Sequence, residues 1–189
     1  MRLNDPEVTS FFYKEREYLI NLSFDIVLDA FDVLNEAIFT DYEKACLCLD
    51  LLIGEGCYQS EDALSLWIFI YDQFIHKEVP PFIKYSFYGD PLSVEEHEQL
   101  IDISADAETI YASFIQAYNI DLIDKQGILT WSKFRALLHN LPSDTPLKRI
   151  MQIRAWKPGN NDSEEYKRDM TDLQRYYALN TDREEEDND

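Results

Sequence analysis

Glycine, cysteine and positive charge are scarce in this chain, and each scarcity closes a class of function. Only five glycines occur among 189 residues, and none falls in a G-x-G-x-x-G, G-x-x-x-x-G-K-[ST] or G-x-S-x-G pattern. The phosphate-cradling loops and nucleophile elbows built on such turns are therefore unsupported. The three cysteines, Cys46, Cys48 and Cys57, are too few and odd in number for a disulfide framework. Cys46 and Cys48 lie two apart in a helical pattern, so their thiols point about 200° apart and cannot easily share one metal ion. They read as reduced packing residues.

Seventeen Lys and Arg face 37 Asp and Glu, a net charge of -20. Such a surface repels phosphate, which disfavours nucleic acid and anionic membranes as partners. Long apolar runs are also missing. The longest, Leu66–Tyr71 (LWIFIY), is far short of the roughly 18 residues a membrane span needs. The start, MRLNDPEVTSFF, lacks the basic-then-apolar order of a signal peptide, and the expected location is the cytoplasm.

What is present is enough to build a core: 46% hydrophobic and 14% aromatic residues. Thr9, Phe11 and Tyr13 alternate, and after the polar stretch Lys14-Glu15-Arg16-Glu17 so do Tyr18, Ile20, Leu22 and Phe24. Period two predicts a small N-terminal β hairpin. Helical spacing then takes over. Ser23 is placed to cap a helix carrying Phe24, Val27, Leu28, Phe31 and Leu34 inward. Thr40 with Glu43 makes a capping box for a second, whose inner face is Tyr42, Ala45, Cys46, Leu49, Leu52 and Ile53, with Gly54 and Gly56 at its end. A third follows Ser60, carrying Leu64, Trp67, Ile68, Tyr71, Phe74 and Ile75 as far as Pro80-Pro81.

The second half repeats the theme. A helix is predicted over 104–118 with Ala107, Ile110, Tyr111, Phe114 and Tyr118 inward, then one capped by Thr130 carrying Trp131, Phe134, Leu137 and Leu138. Thr145-Pro146 opens another that ends near Trp156-Lys157-Pro158. Ser163 caps the last, with Tyr166, Met170, Leu173 and Tyr177 in line. The fold class read from this is mainly α, with six to seven helices, an N-terminal hairpin and an acidic disordered tail. Residues 1–78 form an N-terminal part, 79–100 a linker or loop, 101–181 a helical C-terminal half and 182–189 the tail. The pattern fits either one compact domain or two closely packed halves.

Several motifs invite chemistry and do not sustain it. Registering an EF-hand loop on Gly127 puts Leu122 where an Asp is wanted and Lys133 where a bidentate Glu is needed. A glycine turn into a capped helix explains the segment. His76, His97 and His139 are scattered, without metal-ligand spacing. Glu95-Glu96, Glu164-Glu165 and Glu184-Glu185-Glu186 read as solvated faces. No catalytic, metal-binding or cofactor-binding residue is expected, and the chain reads as no enzyme. Two features are harder to absorb into a core. Arg154 and Lys157 flank Trp156 just before a helix break, and Tyr176 and Tyr177, being adjacent, cannot both face one core. Arg154, Trp156, Tyr176 and Tyr177 are therefore the candidate partner-binding residues.

The run Asp106–Phe114, then Tyr118-Asn-Ile-Asp-Leu122, Gly127, Leu129, Trp131 and Lys133–Leu138, resembles the bacteriophage gene-product-fifteen family. So do Asn21–Asp25 with Val27, Leu28 and Phe31, Ile153-Arg154 with Trp156, and Leu173 with Tyr176-Tyr-Ala-Leu179. The resemblance covers residues 10 to 179, departing at 79–100 and after Trp156. It implies a protein from the tail module of tailed phages and prophages of Gram-positive bacteria, encoded next to the tape measure protein. Tail assembly chaperones usually hold that position. The resemblance thus implies a non-enzymatic chaperone in the host cytoplasm, binding the tape measure protein, the tail tube protein or both before the tail polymerises. The alternative is a structural tail or neck component retained in the virion. Homo-oligomerisation stays open.

Overall fold

The computed structural model describes residue 4 and residues 6–76 and 100–179. The fold is mainly α, as the sequence predicts: seven α-helices and one two-stranded antiparallel hairpin among the described residues. The Pro80-Pro81 stop, the tail 182–189 and all but residue 100 of the expected linker lie outside those residues.

The helices sort into two compact units that do not follow chain order. Among described residues, the first unit takes 6–76 and 123–139, and the second takes 100–122 and 140–179.

In the first unit, β1 (Ser10–Tyr13) pairs with β2 (Arg16–Leu19), placing Phe11 opposite Tyr18. The two rings stack at 5.5 Å, and Phe11 also meets Phe69 and Phe74. Phe12 and Leu19 face outward. The turn is two residues, not the four the polarity suggested. Lys14 and Glu15 both take positive φ, +46° and +65°, the geometry of a primed turn that matches strand twist. Neither is Gly or Asn. The Lys14 ammonium is held 2.7 Å from Asp62, which anchors the turn to the start of the third helix.

Helix α1 (Phe24–Asn35) buries Phe24, Val27 and Ala30, and α2 (Asp41–Ile53) buries Ala45, Cys48, Leu49, Leu52 and Ile53. The Thr40–Glu43 capping box is present in both directions, and Gly54 closes α2 at φ +90°. Tyr42, expected on the inner face of α2, is exposed instead. Of the three cysteines Cys48 is buried and Cys46 half-buried, while Cys57 is exposed rather than packed. Burial pushes the Cys48 thiol up to about 12, Lys44 only partly opposing it.

Residues 54–62 run back along α2, since Tyr58 Oη donates to the Cys46 carbonyl and Tyr42 Oη to that of Ser60. A 3₁₀ turn (Ser60–Asp62) leads into α3 (Ala63–Ile70), continued by one π turn (Tyr71–Ile75) that ends at His76. Ala63, Leu66, Trp67 and Ile70 point inward. Leu64 and Ile68, on the same helix, are exposed.

Helix α5 (Trp131–His139) completes this unit. Phe134 stacks on Phe24 at 4.9 Å, and Phe31 meets Trp131 edge-on. Trp131 Nε1 and Arg135 Nη1 both donate to the Ile75 carbonyl. The backbone seals the contact. Phe24 N donates to Leu129 O, Trp131 N to Leu22 O, and Gly127 N to the Asp25 carboxylate. This bridge replaces the cap expected from Ser23. That residue sits at the N-cap position, but its Oγ is buried without a partner.

In the second unit, α4 (Ala107–Tyr118) and α6 (Pro146–Arg154) pack around Phe114, Ile110 and Leu147. Helix α4 starts three residues later than predicted, leaving Ala107 exposed, and ends on Asn119 in the left-handed conformation. Thr145 precedes Pro146 as expected, yet its hydroxyl does not cap α6 and donates to Pro142 O. The cap comes from α4: Leu147 N donates to the buried Ser113 Oγ at 3.0 Å. A side chain from a packed neighbour thus satisfies a donor that the local sequence leaves open.

Candidate interaction site

The last helix, α7 (Glu164–Tyr177), is built to be amphipathic. Ser163 caps it through Tyr166 N, Glu164 and Glu165 sit in its first turn, and Arg175 in its last. Tyr166, Met170, Leu173 and Tyr177 follow a 4-3-4 spacing, the narrow stripe by which one helix grips another. Yet no residue of α7 is buried. Tyr166 and Leu173 are exposed, and Met170 and Tyr177 are half-buried. The apolar stripe is only partly covered.

What holds α7 in place is polar and reciprocal. Arg154, the last residue of α6, donates Nε to the Tyr177 carbonyl at the end of α7. Gln174 of α7 donates Nε2 back to the Arg154 and Trp156 carbonyls at the end of α6. Each helix therefore satisfies carbonyls that the other's C-terminus leaves open. The rest of the Arg154 guanidinium reaches Leu100 O and both carboxylate oxygens of Asp106. Asp106 also accepts from Asp102 N, fixing the turn ahead of α4.

The four residues singled out from sequence thus divide. Arg154 is turned inward, with four hydrogen bonds inside its own unit that position the ends of α6 and α7. Trp156 is half-buried and meets Tyr166 edge-on at 5.9 Å. Tyr176 is 72% exposed, while Tyr177 is half-buried and perpendicular to it at 4.8 Å. The outward surface is therefore Trp156, Tyr166, Leu173 and Tyr176. Sequence reasoning missed Asp106 and Gln174. Their signal is weak: one acid at a helix start and one amide among the charged residues of α7.

Among the described residues no three His, Cys, Asp or Glu are grouped to hold a metal ion, and no helix is long and apolar enough to cross a membrane. Of the EF-hand-like segment, Asp25 takes the Gly127 amide and Lys133 pairs with Glu7. His76 stacks on Tyr71, His139 ends α5, and His97 lies outside the described residues.

The family model described as "Bacteriophage Gp15 protein" matches residues 3–179. No curated protein and no solved structure matches the chain. The family match spans nearly the whole sequence, and the chain belongs to that family.

Proposed function

We propose that this member of the bacteriophage Gp15 family is a tail assembly chaperone. It binds the tape measure protein, the tail tube protein or both in the host cytoplasm and gives way as the tail polymerises. It carries out no chemistry of its own and needs no cofactor. The observation that supports this reading most directly is the partly covered stripe of α7, where Tyr166 and Leu173 stay exposed on a helix otherwise rich in charge. Such a face suits an amphipathic helix of a partner laid alongside it. Its modest extent suits a contact that must be released. The net charge of -20 would keep a complex with an apolar-rich chain dispersed.

The test is co-expression with the tape measure protein of the same phage or prophage, followed by pull-down and size exclusion. The expected result is a soluble complex with a tape measure that is insoluble alone, weakened by Leu173→Ser with Tyr176→Ser. Mass spectrometry of purified particles is the second arm. Stoichiometric copies in finished virions, with no complex in the co-expression, would overturn the chaperone reading in favour of a retained tail or neck component.

A further inference from the structure

The corner between α1 and α2 exposes apolar side chains that the fold does not use. Ile38 is 82% exposed, and Phe39 and Tyr42 beside it are also exposed. The three fall within eight residues, Glu36–Glu43, whose charged members Glu36, Asp41 and Glu43 are all acidic. The next cation, Lys44, is turned away, its ammonium 2.7 Å from the Leu34 carbonyl. An apolar patch rimmed by one sign of charge is the form of a binding surface rather than of a solvated loop.

The charge around the patch identifies what it would take. Asp25, Asp29, Asp32 and Glu36 lie at i, i+4, i+7 and i+11 along α1, a single stripe opposite its buried face of Val27 and Ala30. Asp29, Asp32 and Glu36 are exposed, and α1 contains no basic residue. The stripe spans about 16 Å and runs straight into the apolar corner. The asymmetry extends over the whole region. Residues 6–76 hold 14 acidic and three basic side chains, whereas residues 144–179 hold six and seven. Two of those three cations are engaged elsewhere, Lys14 on Asp62 and Lys44 on a carbonyl.

We propose that the α1–α2 corner, with the outer face of α1, docks a cationic amphipathic helix of a partner polypeptide. The partner's Lys or Arg side chains would lie along Asp29, Asp32 and Glu36, and an apolar residue at its end would sit on Ile38, Phe39 and Tyr42. A second copy of this chain is disfavoured as the occupant, because its net charge is -20 and even its least acidic stretch, residues 144–179, mixes seven basic with six acidic side chains. None of its residues belongs to α7, and the proposal does not depend on the chaperone reading.

The probe is a labelled 14-residue helical peptide with Lys at i, i+4, i+7 and i+11 and Leu-Leu at one end, titrated into the full chain by fluorescence anisotropy. Three variants are compared, each checked by circular dichroism. One neutralises the stripe (Asp29→Asn, Asp32→Asn, Glu36→Gln). One blunts the corner (Ile38→Ser, Phe39→Ser). The third removes three exposed charges elsewhere (Glu108→Gln, Glu165→Gln, Asp169→Asn). The expected result is binding that weakens about tenfold in each of the first two variants, changes less than about twofold in the third, and falls with added salt. A peptide with Glu in place of Lys should not bind. Equal weakening in the stripe and control variants would reduce the effect to general attraction to an acidic protein and overturn the proposal. So would binding untouched by the corner variant, or no binding at all.

Discussion

Arg154 holds both carboxylate oxygens of Asp106, at 2.7 and 2.8 Å, with the two side chains only 10% and 5% exposed. The pair joins the start of α4 to the end of α6, and through Arg154 Nε it reaches the end of α7. A buried pair of this kind adds little over an apolar substitute, but breaking it strands a charge. Arg154→Leu and Asp106→Leu should each cost about 3–5 kcal/mol in urea unfolding. Arg154→Lys should recover only part of the loss, because an ammonium cannot make the two parallel bonds. Wild-type stability in either leucine variant would show that the pair is dispensable.

The hairpin turn offers a change in the opposite direction. Glu15 is a non-glycine residue at φ +65°, in a turn whose second position favours Gly. Glu15→Gly relieves that conformation and should raise stability by about 0.5–1 kcal/mol, net of the added chain entropy. A rise in thermal midpoint checks it. Lys14 should be left alone, since its contact with Asp62 ties the turn down.

Much of this architecture was legible in the sequence because it is local. Period-two aromatics announced the hairpin, and 3.6-residue spacing announced the helices. Thr40 with Glu43 announced a box that the structure contains. The failures share one cause: the partner lies far away in sequence. Ser23 does not cap α1 because residues 129–131 reach it by backbone pairing. Thr145 does not cap α6 because Ser113 does. Helix α5 joins the first unit, not its chain neighbours, because Phe24 and Phe31 receive Phe134 and Trp131. At the candidate site, adjacency alone showed that Tyr176 and Tyr177 must diverge, whereas the inward turn of Arg154 required knowing where Asp106 lies.

The capping box carries a pH signature. Glu43 accepts from Thr40 N and Oγ1, and these hydrogen bonds hold its carboxyl below the ordinary 4.5. A depressed carboxylate contributes stability that is present above its unfolded value and is lost as pH falls through the lower folded value. Thr40→Ala should cost about 1 kcal/mol at neutral pH. The gap between wild type and Thr40→Ala should then shrink as the pH is taken below 4.5. Denaturant titrations at a series of pH values would measure it, and a gap that widens in acid would contradict the assignment.

The cysteines should react in an order set by burial. Cys57 is exposed, Cys46 is half-buried, and Cys48 is buried with its thiol pushed up to about 12 and its Sγ 3.5 Å from the Ala30 carbonyl. Alkylation at pH 8 should label Cys57 first and Cys46 more slowly, and reach Cys48 only on unfolding. Peptide mapping of a timed reaction reads this directly. Early labelling of Cys48 would mean that α1 and α2 separate readily.

The placement of α5 also sets a schedule for synthesis. Trp131 and Phe134 close the first unit, so a nascent chain has to emerge past about residue 139 before that core can seal over Phe24 and Phe31. By then residues 100–122 have already left the ribosome without α6 and α7 to pack against. The first unit can seal once residue 139 is out, whereas the second, begun before it, has to wait for residues 140–179, so the units do not fold in simple chain order. A fragment cut within 79–100 would release a first unit missing two of its aromatic contacts, and should be recovered as an aggregation-prone species rather than as a free-standing domain.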